Sequence, residues 1–349
     1  MFNTTTTFIS LQSCETRRKN CDVYSPISGF ISRREFIKGY KKMKKTREIS
    51  NDLFALFSPT MLNPMEMISL SENLLFYSTV CIFAIGCIGN VIHLCVLITL
   101  KQFRSNQCAF YLIVESIVDT CQLSVLFLIN LLPMILNFEP ANQSLVWCKL
   151  KNMLPQTLRL ISTSFVCFAA FDQFLSTNPQ PFVRQMSTLR LAYRLTFVAV
   201  CLWTAHSIPY GIFYQISTTS GSCTMPNVKL TEYYSYFYYP VLHGFLPILF
   251  ASLSSLFAYR NVRRLVRRQL NIERRRLDRQ LTAMIFVRVI FFVLFLLPYT
   301  IYRIYVLNFT ISRANLYPYA VDRLIFATTA TLTNFNYTVR ELKLIVNGM

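Results

Sequence analysis

The chain has 349 residues, of which 53% are hydrophobic and only 15% are charged, and its mean hydropathy is +0.39. Soluble domains carry about 25% charged residues, so this composition indicates a membrane protein. The net charge of +19 is not gathered in a soluble basic domain, which disfavours a nucleic-acid partner.

Residues 1–72 form a polar, basic tail, which we predict to be disordered and extracellular. Its lysines and arginines end at Arg47, and none occurs between Glu48 and Leu74. Orientation in a membrane depends mainly on charges within about 15–20 residues of a span, so a basic tail this distant can be translocated. The sequon Asn3-Thr4-Thr5 makes Asn3 a candidate glycosylation site.

Seven apolar segments follow, each close to the ~20 residues that cross a bilayer. They predict an all-α membrane protein with a seven-transmembrane helix bundle over residues 73–346. We place the spans at residues 74–100, 108–136, 149–174, 192–216, 233–258, 281–307 and 319–345. The last span is the least apolar, because it contains Asp322, Arg323, Asn334 and Arg340.

The connections between the spans differ in charge. Every second connection, beginning with the one after the first span, is basic, and the Arg-rich loop at 259–280 is the most basic of them. The remaining connections contain essentially Lys229 and Arg313. Cationic short loops face the cytoplasm, so we predict an extracellular N-terminus. The sequons at Asn142 and Asn308 then also lie outside, and both are predicted glycosylation sites.

Several landmark residues occur in a characteristic order along these spans. They are Gly89-Asn90-Val91, Asp119, Cys148, Asp172, Trp203, Pro247 and Pro298. In this order and spacing the chain resembles the rhodopsin-like (class A) G-protein-coupled receptors, as a divergent member, over residues 72–345. The resemblance implies a multi-pass plasma-membrane receptor that binds an extracellular ligand and activates a heterotrimeric G protein.

The resemblance assigns roles to two pairs of residues. Asn90 and Asp119 match a pair that joins a water and sodium network below the ligand pocket, so a sodium ion near Asp119 is the only cofactor expected. The alternative is a single structural hydrogen bond. Cys148 and Cys223 are expected to form a disulfide that pins the loop after the fourth span onto the third span.

The end of the third span departs from the family pattern. Asp172-Gln173-Phe174 stands where the family has acidic-Arg-aromatic, so the usual ionic restraint on the inactive state is missing. Arg288 lies in the sixth span, about three turns from Pro298. We hypothesise that Arg288 replaces the lost arginine by pairing with Asp172. The alternative is that Arg288 snorkels to the inner headgroups.

The expected G-protein surface consists of Asp172, Gln173 and Arg288, together with Arg264 and Arg268 from the Arg-rich loop. The same loop is expected to contact anionic lipid of the inner leaflet. Membrane topology alone requires only the lipid contact.

The expected ligand pocket lies in the outer half of the bundle. Its candidate residues are Gln156, Arg159, Tyr299, Tyr302, Arg303 and Asp322. Pro155 stands where amine receptors have an aspartate, which disfavours an amine ligand. Arg159 suits an anionic group such as a peptide carboxylate, or it forms a salt bridge with Asp322. The aromatic run Tyr233–Tyr239 either rims the pocket or forms an interfacial belt, and the belt is favoured.

These observations favour a G-protein-coupled receptor with a peptide-like ligand. A signalling-dead or decoy receptor is the main alternative, because Gln173 replaces the arginine and the seventh span lacks Asn-Pro-x-x-Tyr. A small transporter is less favoured, because the chain has no repeated halves. An enzyme is not expected, because no metal cluster, nucleophile set or phosphate loop is present.

Overall fold

The computed structural model describes residues 63–99, 106–218, 221–265, 272–308 and 315–338, except the side chains of 264–265 and 272–278. Most of the basic tail, including Asn3, therefore lies outside the described residues, as does Arg268. Arg264 is described only by its backbone.

The described chain is almost entirely helical. We number the long helices α1 (Pro64–Thr99), α2 (Gln107–Leu136), α3 (Leu145–Ser176), α4 (Leu189–Phe213), α6 (Ile272–Asn308) and α7 (Leu316–Phe335). The fifth, α5, runs through three consecutive segments, Val228–Tyr233, Tyr234–Phe245 and Leu246–Leu265. A 3₁₀ turn at Pro140–Asn142 joins α2 to α3, and a short helix at Pro181–Gln185 joins α3 to α4.

Polar residues just before the helices explain several of these starts. Asn106, Ser144, Thr188 and Asn227 cap α2, α3, α4 and α5, each accepting hydrogen bonds from free backbone N–H groups of the first turn. Such caps satisfy donors that the helix itself leaves unpaired.

The helices form a closed bundle around α3. Neighbouring helices pack in sequence from α1 to α3 and from α5 to α7, and α7 closes the ring against α1. Helix α3 contacts α2, α4, α5 and α6, and it has the largest buried share of the apolar helices. Its residues Phe165, Val166 and Ala170 pack with Phe292 of α6 in the main apolar core. Residues on α3 are therefore best placed to couple the other helices.

Six of the helices, all but α7, are long and apolar enough to cross a membrane. Their outward faces carry exposed large apolar side chains, such as Ile85 and Ile88 on α1 and Phe197, Val198 and Leu202 on α4. Exposed apolar surface of this extent suits contact with lipid rather than water.

The ends of two helices differ from the prediction. Helix α1 begins at Pro64, ten residues before the predicted start. Glu66 accepts a hydrogen bond from the backbone N–H of Asn63, the Asn63 side chain accepts one from the N–H of Met65, and proline suits the first helical position. Helix α7 ends at Phe335, whereas residues 339–345 of the predicted span lie outside the described residues. There Asn336, Tyr337 and Thr338 donate to carbonyls three residues back, which tightens the chain into a turn.

Helix α5 contains an unpredicted π-helical segment at Tyr234–Phe245. Pro240 lies inside it and Pro247 just after it, and neither can donate a backbone hydrogen bond. The wider i→i+5 turn accommodates such interruptions. Gly244, near the end of the segment, allows a close approach to α6, since an added Cβ would lie 2.8 Å from Cγ2 of Thr300.

The loop after α4 folds back over the start of α3. It forms a two-stranded antiparallel hairpin, β1 (Gln215–Ile216) and β2 (Cys223–Thr224). The sulfurs of Cys148 and Cys223 are bonded across it, with the Cα atoms 5.7 Å apart. We call this the disulfide end of the bundle, and the end where α3 finishes at Ser176 the opposite end.

Candidate functional site

Two arginines and three aromatic rings meet in the bundle toward the disulfide end. Arg159 of α3 lies over the ring of Tyr299 of α6, with Cζ 4.9 Å from the centroid. Arg303 lies over Tyr239 of α5 at 4.8 Å. The ring of His243 contacts both tyrosines, with its centroid 6.0 Å from that of Tyr239 and 6.2 Å from that of Tyr299. We call these five residues the arginine–tyrosine cluster.

The positive charge of this cluster is uncompensated within the described part of the chain. There, no carboxylate forms an ion pair with Arg159 or Arg303. Both side chains are partly buried, and the Nε atom of each is enclosed without a hydrogen-bond partner. Tyr299 interacts electrostatically with both guanidinium groups. The arrangement can hold an anion, and cation–π contacts orient the two arginines for it.

The remaining predicted pocket residues divide into two groups. Gln156 is buried one turn before Arg159, and its Nε2 atom has no hydrogen-bond partner. Tyr302 instead donates a 3.1 Å hydrogen bond to Oδ1 of Asp322, which joins α6 to α7. The alternative of an Arg159–Asp322 salt bridge is therefore wrong, because Asp322 is turned toward Tyr302 and Arg323.

The aromatic run of α5 does not form a simple interfacial belt. Tyr234, Tyr238 and Tyr239 are almost fully buried, whereas Tyr236 and Phe237 are exposed. The favoured belt interpretation is wrong for the three buried tyrosines, because the π-helical segment turns them into the bundle. His243 was missed by sequence reasoning, although an intramembrane histidine is itself a signal.

A polar core lies deeper in the bundle, around Asp119. Ser162 of α3 donates a 2.5 Å hydrogen bond to Oδ1 of Asp119. Asn90 donates to the carbonyl of Tyr337 at 3.3 Å, and its Oδ1 atom has no partner. Gln122, one turn from Asp119, is fully buried with both amide atoms unpaired. These oxygens are the ligand type that hard cations prefer.

The predicted pair between Arg288 and Asp172 does not form. Asp172 accepts a 2.6 Å hydrogen bond from Ser187 Oγ in the connection before α4. Gln173 donates a 2.7 Å hydrogen bond to Thr282 Oγ1, so α3 and α6 are joined by neutral groups at the opposite end.

Arg288 instead joins α6 to two other elements. Its Nη2 atom pairs with Oε1 of Glu115 on α2 at 3.1 Å, and its Nη1 atom donates to Oδ1 of Asn336 at 2.5 Å. Arg288 is 8% exposed and Glu115 is 0% exposed, so the snorkelling alternative is also wrong. Sequence reasoning missed Glu115, although a carboxylate one turn before Asp119 in an apolar span needs a partner.

The predicted surface sites are only partly described. Asn142 is exposed in the 3₁₀ turn, and its Oδ1 atom accepts a hydrogen bond from the backbone N–H of Cys223 at 3.1 Å. Asn308 is exposed at the end of α6. Their glycosylation stays a prediction. So do the roles of Arg264 and Arg268, whose side chains lie outside the described residues.

The bundle, with its disulfide end and buried polar core, is that of a seven-helix membrane receptor. A family profile described as "7 transmembrane receptor (rhodopsin family)" matches residues 89–338, well over half of the chain. The chain therefore belongs to the rhodopsin family of seven-transmembrane receptors, and α7 is its seventh span. This is a family of receptors and not of enzymes. No curated protein matches the chain.

Proposed function

We propose that this receptor binds an anionic, peptide-like ligand outside the cell and activates a heterotrimeric G protein inside it. The observation that carries the proposal is the uncompensated charge of Arg159, held over Tyr299 within an aromatic cluster. A buried cation in a low-dielectric site needs a counter-charge, and a ligand carboxylate supplies one in a bidentate geometry.

In the plasma membrane, the disulfide end faces outward and the N-terminus is extracellular. Three features support this orientation: the charge of the loops, the Cys148–Cys223 bond, which needs an oxidising compartment, and the exposed sequon residues Asn142 and Asn308. Glycans at these two positions and at Asn3 belong to the same proposal.

Coupling takes place at the opposite end, where α3, α5 and α6 separate on activation. The Arg-rich loop between α5 and α6 presents basic charge to the G protein and to anionic lipid. Glu115 and Arg288 hold α2, α6 and the turn after α7 together in the inactive state. The Glu115–Arg288 pair thus restrains the inactive state, a role that the sequence assigns to a pair of Arg288 with Asp172.

A sodium ion is proposed in the polar core. The carboxylate of Asp119, the hydroxyl of Ser162 and the unpaired amide oxygens of Asn90 and Gln122 fit a hard cation. Bound there, sodium supplies positive charge that links α1, α2 and α3.

A decoy receptor is the second candidate function. The observation that favours it is the neutral contact of Gln173 with Thr282, in place of the charged residue that meets a G protein in the family.

The test is to express the full chain with a panel of G-protein subtypes and to apply peptide pools as free acids and as C-terminal amides. We expect activation by a free-acid pool but not by its amidated counterpart, and we expect Arg159→Gln to remove the response. Arg323→Gln is the matched control, because Arg323 already has Asp322 nearby. Absence of basal and stimulated activity with every subtype contradicts the proposal and favours the decoy.

A further inference from the structure

The arginine–tyrosine cluster contains a second cation that one carboxylate does not satisfy. Arginine keeps its charge in proteins, so Arg159 and Arg303 are two like charges within reach of one tyrosine, Tyr299. Two uncompensated charges at membrane depth are unfavourable unless a partner supplies the opposite charge.

Among the side chains that the structure describes, the buried and partly buried carboxylates of the helices are committed elsewhere, and those of Glu66, Glu72 and Glu232 are exposed. Glu115 is paired with Arg288, Asp322 accepts from Tyr302, and Asp172 accepts from Ser187. Asp119 is bonded to Ser162 in the polar core. In the described part of the chain, the counter-charge for the cluster is therefore not supplied by the protein.

The positions of the two guanidinium groups indicate how the missing charge is distributed. Arg159 lies over the ring of Tyr299 and Arg303 over the ring of Tyr239, and the ring of His243 contacts both tyrosines, at 6.2 and 6.0 Å. The two guanidinium groups are therefore held on different rings, and two separate carboxylates fit them better than one compact dianion such as phosphate.

Polar atoms around the cluster also lack partners. The Nε atoms of both arginines, Nε2 of His243, the hydroxyl of Tyr238 and Nε2 of Gln156 are enclosed without a hydrogen bond. Buried polar groups are normally satisfied, and a run of exceptions beside two cations is explained by a bound polar ligand.

We infer that the ligand is a dicarboxylate whose two acid groups pair separately with Arg159 and Arg303 while its body lies against the tyrosines. This inference rests on the proposed function and extends it from one anionic group to two. Both a small dicarboxylic acid and a peptide that ends in an acidic residue have this chemistry.

The test measures thermal unfolding of the purified full chain in lipid nanodiscs with defined probes. These are linear dicarboxylates of one to six methylene groups, their monoamides, a peptide that ends in Glu, its C-terminal amide, and inorganic phosphate. We expect at least one diacid to bind about tenfold more tightly than its monoamide. Tighter binding of the free-acid peptide than of its amide would identify the ligand as a peptide that ends in an acidic residue, and not as a small dicarboxylic acid.

Variants of Arg159 and Arg303 then measure how much each arginine contributes to binding of the diacid. Arg159→Gln and Arg303→Gln should each weaken the best diacid about tenfold and remove its advantage over the monoamide, and Arg323→Gln should change neither. Equal binding of diacid and monoamide, with only Arg159 required, overturns the inference and leaves the proposed function standing. Tighter binding of phosphate, or no binding by any acid, also overturns it.

Discussion

Asp119 is fully buried in the polar core, where it accepts a hydrogen bond from Ser162. Its place could be predicted from the order of landmarks along the chain, because a carboxylate inside an apolar span must face the interior. The partners could not be predicted, since the contact of Ser162 depends on how α2 packs on α3. The same holds for His243, which lies in the unpredicted π-helical segment and contacts the rings of Tyr239 and Tyr299.

Sodium should stabilise the receptor through Asp119. When the sodium concentration is ten times its Kd, binding to the folded state alone adds about 1.4 kcal/mol to the free energy of unfolding. We expect the unfolding temperature to rise with sodium but not with choline at equal ionic strength, and Asp119→Asn to remove the difference. An equal rise of the unfolding temperature with sodium in Asp119→Asn would contradict a sodium site at Asp119.

At the scale of the helices, the apolar pattern predicts the seven elements well but not their ends or interruptions. Helix α1 starts early because of the local capping by Asn63 and Glu66, a signal that an apolar window does not register. Helix α7 stops at Phe335, and the side chain of the next residue, Asn336, is bonded to Arg288 on another helix. A tertiary contact of this kind cannot be read from the seventh span alone.

The ion pair of Glu115 and Arg288, which links α2 to α6, should contribute measurably to the stability of the fold. Arg288→Met leaves Glu115 buried without its cation, and breaking such a pair costs about 3–5 kcal/mol of folding free energy. The double variant Glu115→Leu/Arg288→Met removes both charges, so most of the lost stability should return. Thermal unfolding of the single and double variants measures this.

The double variant Glu115→Leu/Arg288→Met also tests whether this ion pair stabilises the inactive state of the receptor. Because it stays folded but lacks the link, its basal G-protein activation should exceed that of the unmodified chain. Glu139→Leu/Lys151→Met is the control, since it removes an ion pair at the disulfide end that has no contact with Arg288. A stable double variant with unchanged basal activity would show that the pair is structural and does not hold the inactive state.

For the whole molecule, ligand binding and G-protein activation both depend on one orientation of the bundle. The ligand site must face outward with the Cys148–Cys223 bond, and the Arg-rich loop must face inward with the G protein. Charge balance across the connections predicts this arrangement from sequence, and the closed ring of helices around α3 is compatible with it.

The most direct measurement is the topology of the full chain in intact cells. We expect glycosidase to shift its mobility, Asn142→Gln and Asn308→Gln each to remove part of that shift, and external protease to leave residues 263–276 uncut until the cells are permeabilised. Absence of glycans at Asn142 and Asn308, together with cleavage of residues 263–276 from outside, would contradict the receptor orientation.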